Sequence, residues 1–134
     1  YLRVANVFLD RIDYSDVLTM DFTPAEREKF YVHPGDILLN EGQSLELVGR
    51  SAVYRGKPRR YCFQNTLLRF RANRDALEPE YAQLVFEQWL KRGDFQKVAF
   101  RTTSIAHLGV DRFARMTLSI ITSSTLPRLS PAGL

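Results

Sequence analysis

The chain has 134 residues, 45% of them apolar and 25% charged, which is enough for one domain with its own hydrophobic core. Its longest apolar run falls far below the ~18 residues that a membrane span needs, and its composition is too hydrophobic for an intrinsically disordered segment. One Cys cannot form an internal disulfide and no charged-then-apolar leader opens the chain, so a cytoplasmic setting is expected; Tyr1, already inside an apolar stretch, reads as the interior of something longer.

In chain order, Tyr1 to Phe8 reads as a strand in which Asn6 falls on the mostly apolar side. Thr23-Pro24-Ala25-Glu26 combines an N-cap, a proline at the first helical position and the acid of a capping box, predicting a short helix from Pro24 to about Phe30. His33 to Asp36 is a turn with Pro and Gly at its centre, and Ile37-Leu38-Leu39 leaves it as a buried strand. Asn40 to Ser44 reads as a loop, Leu47 to Tyr54 as a strand, Gly56-Lys57-Pro58 as a turn, and Tyr61 to Phe70 as a long alternating strand. After Pro79 the period changes: Tyr81, Val85 and Trp89 recur every four residues with Ala82, Phe86 and Leu90 beside them, predicting a helix from about Glu80 to Arg92 capped by Gly93. A further short helix is expected over Asp94 to Phe100, a polar loop over Arg101 to Ser104 and a closing strand over Met116 to Ile121. The expected fold class is mixed α+β, a curved and largely antiparallel sheet of short strands with packed helices. Residues 1–121 form the domain and residues 122–134 an irregular tail.

The net charge of +4 conceals a segregation. Residues 1–46 carry four basic and nine acidic side chains, and residues 75–134 carry seven and six. Residues 47–74 carry eight basic groups (Arg50, Arg55, Lys57, Arg59, Arg60, Arg69, Arg71 and Arg74) and no acid. Seven of the eight are Arg, whose planar guanidinium pairs bidentately with phosphate or with guanine. A solvated basic face is the plain alternative, but the composition favours nucleic acid. Arg55, Lys57, Arg59 and Arg60, four charges within six positions, are the candidate phosphate contacts.

Catalytic and metal chemistry find little support. Cys62 sits in an apolar alternation, where a lone Cys is usually packing, and Ser104 with His107 lacks both a G-x-S-x-G elbow and a suitable acid. His33, Cys62 and His107 are too isolated for a metal site, and neither a P-loop nor a G-x-G-x-x-G motif is present, so no cofactor is expected.

The stretch from Pro34 to Ser44 (Pro-Gly-Asp-Ile-Leu-Leu-Asn-Glu-Gly-Gln-Ser), followed by Val48-Gly49-Arg50, resembles the target recognition domain of the specificity subunit of type I restriction-modification systems. Tyr1 to Val7 is similar to that family's early strand, Phe63 to Arg71 to its long middle strand, and Thr102 to Leu108 to the polar loop before its last strand. The resemblance covers roughly residues 1–121. It implies a non-catalytic domain that reads one half of a split target in double-stranded DNA. The implied partners are the methyltransferase (modification) subunits and the restriction subunit, with no membrane. An alternative is a remnant or interaction module that associates with a methyltransferase subunit without specific DNA binding of its own.

The family's two recognition domains are separated by long helices, and this chain has room for one domain and neither helix. Its Pro-Pro-Leu and Glu-Gln signature, due near residue 120, is replaced by Ile120-Ile121-Thr122-Ser123, so a truncated or frameshifted gene end is expected. Residue type, loop placement and the resemblance together nominate Gln43, Ser44, Arg50, Asn65, Thr102, Thr103 and Ser104 for base contacts. For Asn65 a buried hydrogen bond to backbone, and for Ser104 a helix or turn cap, are equally open.

Overall fold

The computed structural model describes residues 1–102 and 105–125. At its centre lies β3 (Ile37–Asn40), paired antiparallel with β5 (Ser51–Val53) on one side and with β6 (Leu67–Phe70) on the other. All four β3 residues are buried because both faces of this sheet are covered. Ile37 and Leu39 point into one apolar cluster and Leu38 into a second. A strand covered on both faces reads as a continuous apolar run, which is why this segment was legible as a strand without alternation.

On the first face lie α2 (Pro79–Arg92), α3 (Asp94–Val98) and α4 (Val110–Thr125). Phe86, fully buried, meets Phe70 at 5.2 Å, Phe113 at 5.3 Å and Trp89 at 5.6 Å between ring centroids. Gln83 of α2 is also buried, donating to the Ser51 carbonyl at 3.1 Å and so tying the helix to β5. Gly93 ends α2 in the left-handed region at φ 80°, which lets α3 start without an intervening loop.

The second face is covered by Leu2, Val7, Val32, Tyr54 and Phe63. The helix α1 (Pro24–Phe30) docks there through Phe30, edge-on to Phe63 at 5.4 Å. Both arms of its capping box are formed: the Glu26 N–H donates to Thr23 Oγ1 at 3.1 Å and the Thr23 N–H to Glu26 Oε1 at 2.9 Å.

The mixed α+β class holds, with antiparallel pairing in three small sheets. A two-stranded hairpin joins β1 (Val7–Phe8) to β2 (Arg11–Ile12), and a three-stranded sheet sets β8 (Ala106–His107) between β4 (Gly42–Gln43) and β7 (Phe100–Arg101). Four expected strands are corrected. Tyr1 to Phe8 is broken by a 3₁₀ turn at Val4–Asn6, because the buried Asn6 amide accepts from the Arg3 N–H and donates to the carbonyls of Asp13 and Asp16. Leu47 to Arg50 is a turn in which Gly49 adopts φ +88° with its α-carbon against the Phe95 ring, so that the strand starts only at Ser51. The long strand from Tyr61 is interrupted by a turn at Asn65 and Thr66 and resumes at Leu67. Met116 to Ile121 lies inside α4, where Phe113, Met116, Thr117 and Ile120 follow helical spacing onto the core. That helix runs to Thr125, and most of the irregular tail expected over residues 122–134, from 126 on, lies outside the described residues.

Candidate nucleic-acid interface

The acid-free basic stretch divides in two. Arg69, Arg71 and Arg74 turn inward towards the segment before β3. Arg71 makes a bidentate pair with the buried Asp36 at 2.6 and 2.7 Å, Arg69 donates to the carbonyls of Lys29 and Tyr31, and Arg74 donates to that of Pro34. Asp36 also accepts from the His33 N–H at 2.8 Å, so these three of the eight cations fix the turn entering β3.

Arg55, Lys57, Arg59 and Arg60 stand exposed on the loop after β5. The loop is held from beneath by the Tyr54 hydroxyl, which donates to the Lys57 carbonyl at 2.6 Å. Arg55 pairs with Asp10 at 3.2 Å, and Arg59 pairs with Glu28. Among the described residues Lys57 and Arg60 have no carboxylate partner, and the Arg60 guanidinium lies 5.7 Å from the Tyr61 ring centre.

The base-contact candidates gather at the other end of the central sheet. Because β3 and β5 run antiparallel with Ile37 opposite Val53, the loop after Val53 emerges beside the start of β3, whereas β4 continues from its end. Four strand residues separate the two ends by roughly 13 Å at ~3.3 Å per residue. Gln43 sits half-buried in β4 opposite Ala106, and its side-chain carbonyl already accepts from the Ser44 N–H at 3.1 Å, leaving the amide NH₂ to donate. Ser44 is half-buried beside it. The Thr102 hydroxyl donates to the Ile105 carbonyl at 3.1 Å in the β7–β8 connection, which the pairing of β8 with β4 brings near Gln43. Asn65, exposed in the turn before β6, is at this same end, since the next residue's carbonyl accepts from the Glu41 N–H at 2.9 Å. The buried backbone hydrogen bond considered for Asn65 is therefore absent. Thr103 and Ser104 lie outside the described residues.

Arg50 is half-buried at the end of β3, its carbonyl accepting from the Asn40 N–H and its guanidinium 4.8 Å from the centre of the Phe8 ring. Burial pushes its pKa down, and its Nε has no hydrogen-bond partner. Arg11 lies 4.5 Å from the same ring, so Phe8 holds two guanidinium groups. The β1–β2 hairpin thereby links the two ends of the sheet: it meets Arg50 through Phe8 and Arg55 through Asp10, whose N–H also donates to the Ser51 carbonyl at 2.7 Å.

Sequence reasoning passed over this hairpin because Arg11 sits in the acidic segment and nothing local marks it as part of a basic surface. It also passed over Tyr14, which stacks on Tyr61 at 5.2 Å and 25° while remaining 41% exposed. These residues and the 54–61 loop line an open groove of about 590 Å³.

Cys62 is buried, and burial pushes its thiol pKa up, away from the thiolate a nucleophile needs. His107 approaches Glu41 at 3.4 Å, and the same carboxylate accepts from the Gly109 N–H at 3.1 Å, an arrangement that fastens β8 to the end of β3. No group of three His, Cys, Asp or Glu side chains able to hold a metal ion occurs among the described residues. No described helix is long and apolar enough to cross a membrane.

No family model matches the chain. Over 103 residues it is 26% identical to a protein of Methanocaldococcus jannaschii provisionally named the type I restriction enzyme MjaX specificity subunit. The match takes in 76% of this chain and 24% of that protein, so the chain spans about a quarter of the length of this curated relative. Across three-quarters of its own length, then, the chain is distantly similar to a type I restriction enzyme specificity subunit.

Proposed function

We propose that this chain is a DNA target recognition domain of a type I specificity subunit, reading one half of a bipartite site for a methyltransferase and restriction complex. It contributes binding and no catalytic group, and its partners are double-stranded DNA and the modification and restriction subunits in the cytoplasm. The observation that best supports this reading is the row of cations along the β1–β2 hairpin: Arg50 and Arg11 share the Phe8 ring, and Arg11, Arg55, Lys57 and Arg60 line one groove beside it. At the Arg50 end of that row stand Gln43, Ser44, Asn65 and Thr102, polar side chains of the kind that read base edges. Cations along one surface and polar groups at one end of it match a division between phosphate contacts, which position, and base contacts, which specify.

Duplex binding measured across a salt series tests the proposal. Replacing Arg55, Lys57, Arg59 and Arg60 together with Ala should weaken binding to all sequences and flatten the slope of log K against log salt by about 0.9 for each phosphate left without its cation. Gln43→Ala or Arg50→Ala should instead reduce discrimination, each bidentate base contact being worth ~1–3 kcal/mol. An unchanged salt slope would refute the phosphate assignment. Weak binding without sequence preference in the native chain would favour the interaction-module reading.

A further inference from the structure

The groove between the β1–β2 hairpin and the 54–61 loop has features that contact with duplex phosphates does not require. Its volume, about 590 Å³, falls within the ~300–1,000 Å³ of small-ligand clefts, and it is open to solvent on one side. Arg11, Arg55, Lys57 and Arg60 line it, and its carboxylate, Asp10, is neutralised by Arg55 at 3.2 Å. Tyr14 and Tyr61 form its aromatic wall. Tyr14 gives one side of its ring to Tyr61 and still leaves 41% of its surface to solvent. Phosphate alone would need the cations and no exposed ring. A paired base cannot use the ring either, because its faces are covered by its neighbours in the stack. A second groove, of about 420 Å³ beside α3, supplies a contrast: it has Arg92, Lys97 and Arg101 but no aromatic wall, and two of its three cations are tied to Asp94.

We infer that this groove takes one unpaired nucleotide of a DNA strand, its base stacked on Tyr14 and its phosphate held by Lys57 and Arg60. The inference rests on the DNA-binding reading and extends it, since stacking on an aromatic side chain is independent of base identity and demands only an accessible base face. The domain therefore favours a site where the duplex is locally opened over the same site fully paired.

Fluorescence anisotropy with two labelled duplexes, identical except that one carries a single unpaired nucleotide, tests this. The ratio of their affinities is the readout, so a general loss of affinity does not affect it. The native chain should prefer the bulged duplex by about tenfold, Tyr14→Ala should bring the ratio near one, and Tyr14→Phe, which keeps the ring, should preserve it. A ratio near one in the native chain, or an undiminished preference in Tyr14→Ala, would overturn the inference. Salt-dependent binding of the paired duplex in that same experiment would leave the recognition-domain reading standing, whereas failure of both duplexes to bind would remove both.

Discussion

At the scale of single residues, like side chains are either committed to structural contacts or left facing solvent, according to their surroundings. Arg71 and Arg60 come from one basic stretch, yet Arg71 is committed to a carboxylate that is almost entirely buried, while Arg60 faces an open groove. Tyr14 shows the effect of surroundings on titration. Partial burial of its ring, followed by the proximity of Tyr54 and Tyr61, pushes its phenol up to about 12 from an ordinary value of 10. A raised folded-state value means that folding favours the protonated phenol. The resulting stability is fully present below pH 10 and is lost as the pH climbs towards 12. Tyr14→Phe should therefore reduce the alkaline loss of stability within that window. Identical melting-temperature profiles for the two proteins from pH 10 to 12 would contradict the assignment.

At the scale of elements, the acidic first third of the chain folds onto the basic middle, and the contacts are specific. Asp10 in the β1–β2 turn holds Arg55, and Glu28 on α1 holds Arg59. On the proposed reading, a phosphate would have to compete with a carboxylate for two of the four cations, which would restrain binding to any sequence. Glu28→Gln should release Arg59 and raise affinity for unrelated duplexes about two- to fivefold at low salt, an effect that fades as salt screens it. Equal affinities of the native and variant proteins in a low-salt titration would show that the pair does not restrain binding. Arg59 also lies 4.7 Å from the centre of the Tyr31 ring, so losing the carboxylate leaves its guanidinium supported.

At the scale of the whole molecule, the central sheet separates two cores, and the binding candidates occupy its rims. The first core depends on aromatic rings from three different elements meeting at Phe86. Phe86→Ala should cost about 3–5 kcal/mol, because the rigid rings around it cannot collapse into the cavity. Urea unfolding should show this as a lower midpoint; a loss below about 1 kcal/mol would place the stability of the fold elsewhere. Phe113 brings α4 into the same cluster by reaching Phe86 and Phe70, which explains why a segment rich in β-branched residues settles as a helix: Phe113, Met116 and Ile120 meet one core only at helical spacing.

Local chemistry by itself determined the capping-box helix, the Pro79 helix with its Gly93 stop, the buried run of β3 and the concentration of basic charge in residues 47–74. Each of these depends on neighbours within about one turn or on composition, which the order of residues carries directly. Tertiary structure alone decided the rest. It set the 3₁₀ turn at Asn6, whose partners lie seven and ten residues away, and the helical state of Met116 to Ile121. It divided eight similar charges into three that brace a turn and five on or beside the hairpin and its neighbouring loop, and it brought Arg11 and Tyr14 from the acidic segment to that surface. Long-range pairing sets where a side chain is buried and which opposite charge it meets, and that pairing is invisible to any local window of sequence.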